Sequence, residues 1–176
     1  RTGAGCPTIT APNDYCVGPV VATTTGVPPV LEFRKTVSNA TTGQDPTATA
    51  TPGDVLKYRI VVRNISAAPV ANFTLVDELD KLNALPLFVP GTLTLVAVPP
   101  GADSTNTNAA GGAKGTGLVD LRNLSVGVAG SANDTLIVEF QAQLAPVITH
   151  GTIVLNQAQL VVAGLVLANS DDPNVN

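Results

Sequence analysis

Few residues in this chain are equipped for chemistry. Its 176 residues include one histidine, His150, and two cysteines, Cys6 and Cys16. A His/Cys metal cage, a Ser/His/Asp triad or a Cys/His pair has almost nothing to be built from. No metal, no cofactor and no turnover enzyme is therefore expected. Three polar residues sit instead on apolar alternations. Lys35 has the parity of Leu31, Phe33 and Val37, Asp77 that of Phe73 and Leu75, and Asn156 that of Val154, Ala158 and Leu160. All three side chains are expected to point inward, where burial favours an uncharged amine nucleophile and a protonated acid.

The elements that must position them read as β-strands. Leu56, Tyr58, Ile60 and Val62 oppose Lys57, Arg59 and Arg63, while Leu136, Val138, Phe140, Ala142 and Leu144 oppose Glu139, Gln141 and Gln143. Further strands are expected at about 70–77, 87–97, 117–126 and 152–168, with turns at Pro52-Gly53-Asp54, Pro90-Gly91 and Asn133-Asp134. Seven or so strands in this order imply an all-β chain, an antiparallel sandwich.

Composition agrees: 12% charged residues, 44% hydrophobic, 16 glycines and 14 prolines suit short strands and sharp turns. The net charge of −4, without a basic cluster, argues against nucleic acid and anionic membranes as partners. The longest apolar run, Leu160 to Ala168, is too short to span a bilayer. Both faces of that run are apolar, and read as one strand it needs an outer cover. Residues 99–116 are small, polar and glycine-rich, the pattern of a mobile loop or of a segment ordered by a neighbour.

Residues 1–30 form an N-terminal arm, rich in Gly and Pro and without clean alternation; the sandwich is expected over 31–176. Cys6 and Cys16 are spaced to close a short disulfide loop in an oxidising compartment, a gain of roughly 2–3 kcal/mol. A chain that starts at Arg1 and lacks methionine fits an exported protein, extracellular or cell-surface, whose signal peptide has been removed.

Several motifs look familiar. Pro52-Gly53-Asp54 followed by Leu56, Tyr58, Ile60, Val62 and Asn64 resembles the opening of the prokaryotic conserved-repeat domain known as domain of unknown function 11. Asn72-Phe73-Thr74-Leu75-Val76-Asp77, Phe88-Val89-Pro90-Gly91-Thr92, Asn156-Gln157-Ala158 and Ser170-Asp171-Asp172-Pro173 extend the likeness over roughly 31–176. An insertion at Asp80 to Pro86 and the cysteine arm depart from the family pattern. The resemblance implies an immunoglobulin-like sandwich on an exported surface protein, used as stalk, adhesin scaffold or fibre material.

The resemblance gives the three inward residues a role. An early lysine, a middle carboxyl and a late carboxamide match the layout that collagen-adhesin-type domains use for a self-formed isopeptide bond. Lys35 would attack Asn156 and release ammonia, with Asp77 polarising the carboxamide and shuttling protons in a single turnover. The competing reading has Asp77 accepting turn N–H groups, Asn156 satisfying an edge and Lys35 snorkelling to water.

Other candidates carry less. The tail Ser170-Asp171-Asp172-Pro173-Asn174-Val175-Asn176 offers oxygen ligands without the spacing of a calcium loop. The five sequons at Asn39, Asn64, Asn72, Asn123 and Asn133 reflect composition, His150 reads as a loop residue, and Glu78 falls on the face opposite Asp77. Two functions remain. In the first the chain is a filament subunit whose partners are identical subunits. Arm residues Val17, Val20, Val21 and Val27 add a strand to a neighbour, and Val161, Ala163, Leu165 and Leu167 complete the interface. The alternative is a stalk or ligand-binding module of a bacterial adhesin, with 99–116 as its recognition loop.

Overall fold

A computed structural model describes residues 31–45, 47, 49–78, 87–89, 91–108, 118–154 and 156–170. Among them lie nine strands and no helix: β1 (Leu31–Asn39), β2 (Val55–Asn64), β3 (Val70–Glu78), β4 (Leu87–Phe88), β5 (Thr94–Ala97), β6 (Leu118–Val126), β7 (Thr135–Gln143), β8 (Gln159–Val162) and β9 (Leu165–Asn169). They form two antiparallel sheets, one ordered β1-β2-β7-β4 with β5 also on β7, the other β6-β3-β8-β9. The chain is an all-β, immunoglobulin-like sandwich. The arm, residues 1–30, with Cys6, Cys16, Val17, Val20, Val21 and Val27, lies outside the described residues.

One-sided burial explains why these segments are strands. Leu56, Tyr58, Ile60 and Val62 of β2 and Leu136, Val138, Phe140 and Ala142 of β7 face Phe73, Leu75, Val119, Leu121 and Leu124 of the other sheet, all at 5% exposure or less. Polar alternates stay outside, where Arg59 pairs in register with Glu139 and Lys57 also reaches it. Exposed pairs of this kind contribute little to stability. The Pro52-Gly53 turn forms as expected, with Gly53 at φ 86° and Asp54 N–H donating to Thr51 O.

Strand-end asparagines tie the poles of the sandwich. Asn64 is fully buried, donates to Ala68 O and Gly127 O, and accepts from the Ser66 amide and hydroxyl. Asn39 donates to Asp54 Oδ2 and accepts from the Thr41 and Thr42 amides. These two sequon asparagines are interior struts, whereas Asn72, Asn123 and Asn133 are exposed.

Three expectations need correction. The run Leu160 to Ala168 is not one strand but the β8–β9 hairpin, reversed at Ala163 (φ 49°) and Gly164 (φ 81°). Positive φ at both central residues is the twist-matched turn for two-residue hairpins, and without a strong Asn-Gly signal it was hidden among apolar neighbours. The expected strand from 152 begins only at Gln159, and in place of the one at 87–97 stand two strands, β4 and β5, with Gly91 (φ 78°) between them. The described first part of the 99–116 loop is held on the edge of β6: Asp103 and Arg122 exchange backbone hydrogen bonds, and Thr107 Oγ1 bonds to both Asp120 N and O.

Candidate functional site

Alternation on three segments from two sheets brings polar atoms into the core. Lys35 follows Phe33 and precedes Val37 on the inward face of β1, opposite Ile60 of β2. Asp77 continues the inward row Phe73, Leu75 of β3. Asn156 continues the buried row Leu160, Ala158 back from β8. The β3–β8 ladder ends at Val76↔Gln159, one residue short of Asp77, and the chain runs on through Ala158 to Asn156 along the same line. Lys35, Asp77 and Asn156 are 2%, 1% and 8% exposed.

Lys35 Nζ lies 2.5 Å from Asp77 Oδ2. Water is kept away by Tyr58 and Phe140, whose rings stack 5.2 Å apart at 20° and whose centroids stand 5.2 Å and 5.4 Å from Nζ. Burial drives the Asp77 carboxyl above its ordinary range, and the neighbouring Lys35 only partly opposes that rise. A proton passed from amine to carboxyl leaves a neutral pair, which avoids the cost of two buried charges and frees the amine lone pair.

Two further polar atoms here are unsatisfied. Among the described residues, Asp77 Oδ1 and Asn156 Nδ2 are buried without a hydrogen-bond partner. Such an orphan costs about 1–3 kcal/mol and calls for an explanation. Asp77 does not accept turn N–H groups, and Lys35, with its side chain 1% exposed, does not snorkel to water. The core therefore holds an amine and an acid in contact, and a buried carboxamide on the line of chain that runs on past Asp77, groups of the kinds used in acyl transfer between side chains.

The second candidate region is the β8–β9 hairpin. β9 ends its sheet, and its residues Leu165, Val166 and Leu167 are 75%, 52% and 62% exposed, with Val162 at 38%. Ala163 is exposed and Val161 half-buried. Native edges are commonly blunted with charges or proline, and Leu165-Val166-Leu167-Ala168-Asn169 has neither.

In the sequence the interior asparagines stand out as sequons, and Asn64 also as the last residue of the motif that opens at Pro52, but not as struts. Their inward parity at the ends of β1 and β2 was the available signal. His150 is exposed, beside a groove, and no group of three or more His, Cys, Asp or Glu among the described residues could hold a metal. No described helix is long and apolar enough to cross a membrane. No family model matches the chain, and no curated protein matches it.

Proposed function

We propose that this chain is the structural subunit of an extracellular or cell-surface filament, assembled head-to-tail by its N-terminal arm adding a strand to the next copy. The observation that carries this reading is the β8–β9 hairpin, an apolar, charge-free edge exposed on the isolated subunit. Exposed hydrocarbon on a backbone edge with unused hydrogen-bonding groups is a template for another chain. A contact between unlike surfaces that does not close into a ring propagates as a fibre. The motifs resembling the conserved-repeat surface domain point the same way.

Within each subunit, Lys35 Nζ attacks Asn156 Cγ. The new C–N bond replaces the bond from Cγ to Nδ2, which leaves as ammonia after taking the proton relayed by Asp77. The product ties β1 to the segment before β8. Two burdens disappear together: the orphaned Asn156 Nδ2 is lost, and the new amide N–H can donate to Asp77. A covalent tie between an early and a late strand suits a subunit under tension.

Negative-stain microscopy of the full chain tests the assembly. Extended fibres of uniform width are expected, and only discrete single particles at high concentration would contradict the proposal.

A further inference from the structure

The sandwich has two unlike poles. At one, β1 begins at Leu31 opposite Asn64, so the arm joins there. The β8–β9 turn lies at the same pole, because β8 runs antiparallel to β3 toward Val70. At the other pole, where β1 ends at Asn39 opposite Leu56, a groove of about 740 Å³ opens between residues 47–52 and 148–154. Nine residues of β1 separate the poles, roughly 30 Å at 3.3 Å per residue.

The groove reaches the core. Val37, Leu56, Tyr58 and Leu144 form its floor, and Ile148 and Val154 stand on one wall. Among the described residues lining it, none is Asp, Glu, Lys or Arg. The described residues between Ala145 and Ala158 belong to no strand, which leaves this end of the sandwich open.

We infer that this groove receives the arm of a second copy. The inference rests on the assembly proposed above and names its acceptor. Residues 15–30 carry no charged side chain, matching an uncharged groove, and they supply Val17, Val20, Val21 and Val27 to fill it. Val17 to Val30 is 14 residues, roughly 45 Å when extended, ample to enter the pole of an adjoining molecule.

Occupation by the chain's own arm requires reversal immediately before Leu31. The residues there are Val27-Pro28-Pro29-Val30. Proline fixes its own φ and biases the residue before it toward extended backbone, which disfavours a tight return. Arm and groove at opposite poles instead give a contact that repeats without closing. Each junction then brings the apolar hairpin of one copy toward the groove pole of the next.

Full-length variants test the inference. Val21→Asp spoils the arm and leaves the groove; Ile153→Asp, at an exposed rim position, spoils the groove and leaves the arm. Each alone should fail to polymerise, and an equal mixture should form heterodimers that grow no further. Wild-type-like assembly of Ile153→Asp, or a mixture that stays monomeric, would overturn the inference. Thr149→Arg, also at the exposed rim, repeats the test if Ile153→Asp fails to fold.

A synthetic peptide of residues 17–30, titrated into isotope-labelled Val21→Asp protein, separates this contact from assembly itself. Shifts at the amides of 149–154, weakened about tenfold or more in a Val21→Asp peptide, support the groove. Shifts confined to β9, or none, overturn it. A wild-type chain that never polymerises defeats the filament proposal, and the peptide still decides whether the groove takes the arm.

Discussion

Lys35 of the first strand and Asp77 of the third meet across the two sheets, Nζ 2.5 Å from Oδ2, with both side chains 1% exposed. The pair is walled by the stacked rings of Tyr58 and Phe140 and sits beside the line of chain that carries Asn156. A buried ion pair is a poor stabiliser relative to apolar packing, so stability alone does not account for its presence.

Intact mass reports the reaction directly. The reduced chain should be lighter than its sequence mass by one ammonia, whereas Lys35→Ala and Asn156→Ala should show the mass of their sequences. An undiminished wild-type mass would leave the triad as an unreacted polar cluster.

Removing one member of the pair strands the other. Of two variants that cannot form the crosslink, Asp77→Leu should be less stable than Lys35→Met combined with Asp77→Leu by about 3–5 kcal/mol in denaturant unfolding, because in the single variant a lysine remains buried without its carboxylate. Equal stability of the single and double variants would show that the pair is not coupled.

The pole at Asn64 makes a separate stability prediction. Asn64→Ala removes two donated and two accepted hydrogen bonds at a fully buried site. The orphaned carbonyls of Ala68 and Gly127 should cost about 2–3 kcal/mol in total, read as a lower unfolding midpoint at unchanged slope.

Acid should loosen the opposite pole. Hydrogen bonds from the Thr51 amide and then the Asn39 carboxamide hold Asp54 below its ordinary range. With its folded value depressed, the stability it contributes is present above the unfolded value and is lost as pH falls through the folded one. Asp54→Asn should flatten the acid limb of the unfolding midpoint against pH. A limb as steep as that of wild type would place the acid sensitivity elsewhere.

Much of this was legible in the sequence, and the reasons are local. β1, β2, β3 and β7 bury one face each, so alternation marked their strands and placed Lys35 and Asp77 inward. The hairpin was opaque because a segment apolar on both faces has no period, and Ala163 is an uncommon occupant of a left-handed turn position. The groove could not be read at all, since it arises where the described residues between Ala145 and Ala158 form no strand although their apolar side chains suggest one.

Sedimentation of the full chain across a wide concentration range tests the central claim, that the exposed hairpin obliges this molecule to bind its own copies. A molar mass that climbs without plateau from the 17.8 kDa monomer is expected. Leu165→Ser with Leu167→Ser should stay at the monomer mass, its fold changed by no more than about 0.5 kcal/mol because both positions are exposed. A wild-type chain that holds the monomer mass at every concentration would contradict it.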